Sequence, residues 1–328
     1  MDMTAVTLFS FAPASMPLCI LLLVAGVAVV LYGASFLTDG AVAMASRAGI
    51  PQIVIGLTIV AMGTSMPEFC VSLVSAIKGT PDLAVGNVVG SNIFNALLIV
   101  GVAAVLAPMT ILHSTVKKDI PFALVSSFLL FMMCLDGVIS RFDGLLLLAF
   151  FVVFMVITLR EAKTGAADDS ANVKAEQMSA VKAVLLFIVG LAMLILGSNV
   201  FVDNASAVAK ALGVSDAVIG LTIVAGGTSL PELATSVVSA RRGNSGIAIG
   251  NVLGSNVFNI LFILGVTGLV CPMSIAGITT VDLSIMVIAM VLLWLFSFTK
   301  YTIERWEGIV LVAVFVGYMW YLISNAVA

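Results

Sequence analysis

Charge is scarce in this chain. Only 9% of its 328 residues are charged and 62% are hydrophobic, whereas soluble domains carry roughly 25% charged residues. With a mean hydropathy of +1.25, the composition excludes a soluble globular fold and predicts an all-α integral membrane protein. The net charge of −3 is too small to point to nucleic acid or an acidic ligand. Soft metal ligands are equally sparse. There is one histidine, His113, in an expected solvated loop, and the four cysteines, Cys19, Cys70, Cys134 and Cys271, lie in separate apolar segments without CxxC spacing. That removes zinc and copper sites and leaves the cysteines as small buried hydrophobes. No basic stretch precedes the first apolar run, so the opening segment does not read as a cleaved leader. Neither a GxGD-like aspartyl motif nor a nucleophile–base pair is present, which leaves an intramembrane hydrolase without machinery. No enzyme and no cofactor is expected.

What the chain has instead is apolar length. Stretches able to cross a bilayer, about 20 residues each, fall near 17–38, 52–77, 85–107, 119–139, 143–160, 180–202, 215–240, 249–270, 279–298 and 306–324. Only 161–180 is polar for any length, and it reads as a linker too short to fold alone. The chain also repeats itself. Ile55-GLTIVAMGTSMP-Glu68 returns as Ile219-GLTIVAGGTSLP-Glu232, with twelve of fourteen positions identical, and Gly86-NVVGSNIF-Asn95 returns as Gly250-NVLGSNVF-Asn259. The same 164-residue offset links Gly33 with Gly197, Asp39 with Asp203, Pro108 with Pro272 and Arg141 with Arg305. The organisation expected is a first repeat over 1–160, the linker over 161–180 and a second repeat over 181–328. Five spans per repeat is odd, so the second unit enters from the opposite side. The expected fold is therefore ten transmembrane helices in two inverted-topology five-helix repeats.

Basic residues agree with that count. With loops assigned alternately to two sides, Arg47, Lys117, Lys118, Arg160, Lys163, Lys174, Lys182, Arg241, Arg242, Lys300 and Arg305 share one side. The other side has only Lys78, Arg141 and Lys210. A split of eleven against three places the central linker in the cytoplasm and both termini outside a prokaryotic plasma membrane.

A charge at the centre of a membrane helix costs roughly 2.5–3.5 kcal/mol on insertion scales, and this chain carries one twice, at Glu68 and Glu232. Each glutamate follows a proline, Pro67 or Pro231, with Gly63 or Gly227 just upstream to let the backbone unwind. Thr64 and Ser65, and Thr228 and Ser229, add hydroxyls. Irregular backbone at membrane depth survives only where it lines a cavity or is buried in protein. On a helix Asn87, Ser91 and Asn95 fall on one polar stripe, mirrored by Asn251, Ser255 and Asn259. Asn87 and Asn251, nearer the helix ends, read as polar glue between helices, whereas Ser91, Asn95, Ser255 and Asn259 read as ligand or pathway groups. Every one of these ligating atoms is oxygen. That suits a hard cation such as Ca²⁺, which takes 6–8 oxygens at about 2.3–2.6 Å. Two close carboxylates cannot both stay ionised without a cation between them, so an empty site is expected to hold protons or to be unstable. That is the logic of obligatory exchange. Asp39 and Asp203 read as helix-end acids at the membrane interface.

In its paired motifs, GTSMPE and GTSLPE with GNVVGSNIFN and GNVLGSNVFN, the chain resembles the cation/Ca²⁺ exchanger superfamily. It looks most like the prokaryotic Na⁺/Ca²⁺ exchanger branch, since the GNxxE-type motif of the H⁺/Ca²⁺ branch is absent. The resemblance covers both repeats. It implies a secondary antiporter exchanging Na⁺ for Ca²⁺ by alternating access, with these ions and the lipid bilayer as its partners. Glu68 and Glu232 would be the central ligands. Thr64 and Thr228 would add carbonyls and hydroxyls, and Ser65, Ser229, Ser91 and Ser255 would surround flanking Na⁺ positions. The first and sixth helices would slide as a gate. Some relatives, K⁺-dependent ones among them, end the second motif in Asp, whereas Asn95 and Asn259 close both copies here. The formal site charge is then −2, which disfavours K⁺ cotransport. If three Na⁺ replace one Ca²⁺, as the resemblance implies, one net charge moves per cycle. At roughly 2.3 kcal/mol per charge per 100 mV, the membrane potential would then help drive Ca²⁺ export. A Ca²⁺/H⁺ exchanger using the same glutamates is the alternative.

Overall fold

The computed structural model describes residues 15–164, 178–213, 219, 223 and 225–327. The first helix, α1 (Met16–Ala48), starts with Pro17 in its first turn and stops only at Gly49, whose φ of 62° supplies the left-handed cap. Next come α2 (Gln52–Thr64) and α3 (Met66–Ile77), joined at a bend of 47°. The bend follows from the sequence: Pro67 has no N–H to offer the Gly63 carbonyl one turn back. The chain continues through α4 (Pro81–Leu106), α5 (His113–Asp136), α6 (Arg141–Thr164) and α7 (Ala180–Ala211). After a short turn at Ala225–Gly227 come α8 (Leu230–Arg241), α9 (Ser245–Val270), α10 (Thr280–Ser297) and α11 (Arg305–Val327).

Among the described residues eight helices are long and apolar enough to cross a membrane, nine if the bent α2–α3 pair counts as one span. The span expected near 215–240 lies partly outside the described residues, and so does most of the expected linker. Two extents differ from expectation in the same way. Helices α1 and α7 run on past residues 38 and 202 to Ala48 and Ala211, because a lone aspartate leaves the backbone hydrogen bonds of a helix intact. Asp39 therefore sits within α1 rather than at its end, where its carboxylate meets Arg242 at 2.6 Å. Of the cysteines, Cys19 and Cys134 are buried, Cys271 is half-buried and Cys70 is exposed. Burial is not needed for Cys70, because the surroundings of a membrane helix are themselves apolar. His113 is the first residue of α5 rather than a loop residue, and its ring meets Tyr301 edge-on at 5.1 Å.

Helices α1 and α7 pack antiparallel along a seam of small residues spaced by seven. A Cβ at Gly26 would meet the Gly197 carbonyl at 3.1 Å, one at Gly33 the Gly190 carbonyl at 2.9 Å, and one at Gly40 the Ala183 carbonyl at 2.7 Å. Close backbone approach of this kind is how helices associate where lipid removes the hydrophobic drive. The same device seats α9 on α2: a Cβ at Gly250 would lie 2.9 Å from the Gly56 Cα, and one at Gly254 2.7 Å from the Ala61 Cβ.

Two antiparallel β-pairs close the ends of the bundle. Strand β1 (Met109–Thr110) pairs with β4 (Thr302–Ile303), and β2 (Val138–Ile139) with β3 (Met273–Ser274). In the first pair Met109 faces Ile303, and in the second Ile139 faces Met273. Each register is the other displaced by the repeat offset. These pairs also put together loops that the charge split assigns to a common side. Gln52 Nε2 reaches Asn244 Oδ1 at 3.4 Å, and Arg47 reaches the Met178 carbonyl at 3.2 Å on that same basic side. On the other, Asp82 Oδ1 accepts from the Ala276 and Gly277 N–H groups, both at 2.9 Å.

Candidate cation site

Where α2 breaks into α3, Ser65 is released from helical geometry, with φ −84° and ψ 9°. Ser229, just before α8, adopts φ −90° and ψ 7°. The two breaks aim their hydroxyls across the molecule rather than along their own helices. Ser65 Oγ donates to Glu232 Oε1 at 2.8 Å, and Ser229 Oγ donates to Glu68 Oε1 at 2.9 Å. Each half thus holds the carboxylate of the other. Ser255 Oγ lies 3.5 Å from Glu232 Oε1, and Ser91 Oγ lies 3.2 Å from Ser229 Oγ. Thr64 Oγ1 lies 3.0 Å from Asn251 Oδ1, while Thr228 is half-buried beside Ser229. Of the ten expected site residues, all but Thr228 are buried.

The glutamates are also braced from behind, identically in both halves. Asn87 Nδ2 donates to the Glu68 carbonyl at 3.2 Å and to Ser72 Oγ at 3.0 Å. Asn251 Nδ2 donates to the Glu232 carbonyl at 3.3 Å and to Ser236 Oγ at 3.0 Å. The two asparagines therefore do bind helix to helix. Ser72 and Ser236 were not expected at the site. The signal for them was present, since each lies one helical turn beyond its glutamate in both copies.

Asn95 and Asn259 stand on π-helical turns, Phe94–Ile99 in α4 and Phe258–Ile263 in α9. A π turn widens the helix by one residue and re-aims the side chains it carries, and such turns recur at functional sites. Four oxygens here are buried without a hydrogen-bond partner among the described residues: Glu68 Oε2, Glu232 Oε2, Asn95 Oδ1 and Asn259 Oδ1. A buried acceptor left unpaired costs about 1–3 kcal/mol, more when charged. Four of them, supplied by both repeats, suit a hard cation that needs several oxygens at once. Among the described residues no group of three or more His, Cys, Asp or Glu forms a metal cluster, so most ligands of such an ion would be neutral.

These features define a multi-pass α-helical membrane protein with a buried, all-oxygen site assembled from two sequence repeats. Comparison with known proteins narrows the class. The family model described as "Sodium/calcium exchanger protein" matches residues 18–160 and again 182–324, two segments separated by the repeat offset. The chain belongs to the sodium/calcium exchanger family. It is 38% identical to the putative antiporter CaxA of Alkalimonas amylolytica over 92% of this chain and 97% of that protein. It is 33% identical to the sodium/calcium exchanger MaX1 of Methanosarcina acetivorans over 91% of this chain and 97% of that one. Among solved structures, the sodium-calcium exchanger NCX_Mj superposes with a TM-score of 0.82 at 32% identity, covering 94% of this chain and all of that one.

Proposed function

We propose that this chain is a secondary antiporter that exchanges Na⁺ for Ca²⁺ by alternating access, with Glu68 and Glu232 as the central ligands of both ions. The observation that carries the reading is the reciprocal clasp of Ser65 on Glu232 and Ser229 on Glu68. It fixes one oxygen of each carboxylate and leaves the other for an ion. Asn95 and Asn259 add their free carboxamide oxygens. The hydroxyls of Ser91, Ser255, Thr64 and Thr228 complete the set. With two carboxylates, one Ca²⁺ is neutralised at the site. Replacement by three Na⁺ moves one net charge, so the membrane potential favours Ca²⁺ export. The ten-span, two-repeat arrangement, with both termini outside and the linker at 161–180 in the cytoplasm, belongs to the same proposal.

The test is Ca²⁺ uptake into proteoliposomes under an outward Na⁺ gradient, with a pH gradient imposed separately. Uptake that tracks the Na⁺ gradient is expected. Glu68→Gln and Glu232→Gln are each expected to lower it by at least about a hundredfold, the scale of breaking a buried charge partnership. Uptake that follows pH and ignores Na⁺ would overturn the choice of counter-ion and leave a Ca²⁺/H⁺ exchanger. Full activity in either variant would overturn the site.

A further inference from the structure

Asn92 and Asn256 close the GSN triplets of the two repeats, lie off the expected polar stripe, and are both buried. They lack any role so far. Asn256 Oδ1 accepts from Asn95 Nδ2 at 3.0 Å, and its own Nδ2 faces Met290 Sδ at 3.4 Å. A carboxamide is planar, so anchoring the Asn95 nitrogen decides where its oxygen points. That oxygen is one of the four unpaired acceptors of the cation site.

The repeat counterpart of this bond would run from Asn259 Nδ2 to Asn92 Oδ1. Both atoms are buried without a partner, as is Asn259 Oδ1. The Asn92 Nδ2 is occupied by the Val88 carbonyl at 2.7 Å. Of two equivalent bonds, one is made and the other is open with donor and acceptor both unspent.

We propose that Asn92 and Asn256 are positioning residues of the cation site, each fixing the carboxamide of the opposite repeat, and that the two bonds form in turn as the protein changes access. The proposal rests on the cation-site reading above. Its physical sense is balance. If one bond is always made and one always open, neither access state is favoured by it, and a carrier needs two states of similar energy to cycle. Each state would then present one anchored and one free carboxamide oxygen to the ion.

The test uses Asn92→Leu and Asn256→Leu, which keep the branching and the number of side-chain heavy atoms, in the full-length protein. Half-saturating Ca²⁺ is measured in right-side-out and in everted vesicles. Each variant removes a bond from one access state only. The ratio of the two half-saturation values should therefore change roughly five- to tenfold, in opposite directions for the two variants. Equal weakening at both faces, or no change in either variant, would overturn the proposal and make these amides mere packing. Wild-type protein that fails to exchange would instead sink the functional reading itself. If a leucine variant loses transport, the rise in Tm of the purified protein with added Ca²⁺ reads binding directly. The proposal expects more Ca²⁺ to be needed for the same rise, and an unchanged Ca²⁺ dependence would refute it.

Discussion

Over its membrane window helix α9 is 94% buried and helix α4 72%, although the two carry the same glycine–asparagine motif. What repeats is local. The bracing bonds from Asn87 and Asn251 agree to within 0.1 Å, and both helices widen into a π turn at the same place. What differs is the surroundings. Gly254 lies hard against α2, whereas Gly90 is exposed and no described residue stands within 4 Å of a Cβ there. Asn251 is fully buried and Asn87 only half so. Near-identical sequences in unequal environments mean that the asymmetry lies in how the helices are placed, not in how they are built. The alternating access proposed above would need that kind of inequality.

The glutamate substitutions test the comparison most severely, because Glu68 and Glu232 occupy equivalent positions. Their losses should match despite the unequal surroundings, and a large difference in Na⁺-driven Ca²⁺ uptake would show that one half dominates. The serine clasp comes next. Ser65→Ala and Ser229→Ala each remove a hydrogen bond to a carboxylate, worth about 1.5–3 kcal/mol. Each should raise half-saturating Ca²⁺ by about tenfold or more, an effect read in the same assay. A smaller effect separates the two glycines. Gly254→Ala drives a methyl into Ala61 and should cost about 1–3 kcal/mol, seen as a lower Tm in detergent. Gly90→Ala, at an exposed position with no described residue within 4 Å of the added methyl, should leave Tm unchanged or raise it, since alanine favours the helix by roughly 0.5–1 kcal/mol. Equal destabilisation by both would erase the difference between α4 and α9. The least effect is expected from Arg242→Ala. Its ion pair with Asp39 is exposed on both sides, and such pairs contribute about 0.2–1 kcal/mol.

Much of this architecture was legible in the chain because duplication writes itself twice. The constant offset, the paired glutamates and the two polar stripes all follow from residue identity. The partnership of Ser65 with Glu232 did not. Ser65 and Glu68 are three residues apart and look like neighbours on one helix. Only the break before Pro67 turns the hydroxyl toward the other repeat. Asn92 was hidden for a related reason. At a period of 3.6 it falls off the stripe of Asn87, Ser91 and Asn95, and no composition cue announces the π turn that follows it. Asp39 and Asp203 misled in the opposite direction, since a charged residue in an apolar run resembles a membrane boundary. The helices run on past both, because a single charge leaves the backbone hydrogen bonds intact; α1 stops only where Gly49 turns left-handed.

The reciprocity of the contacts between halves has one last consequence. Ser65 on Glu232 is answered by Ser229 on Glu68, and Met109 opposite Ile303 by Ile139 opposite Met273. An interface in which residue i meets j while the equivalent of j meets the equivalent of i is isologous, the form that two-fold homodimers use. Each half therefore carries both the lock and the key. At these contacts the same residue types serve on both sides, so one pattern of side chains, written once per repeat, makes the junction from either direction.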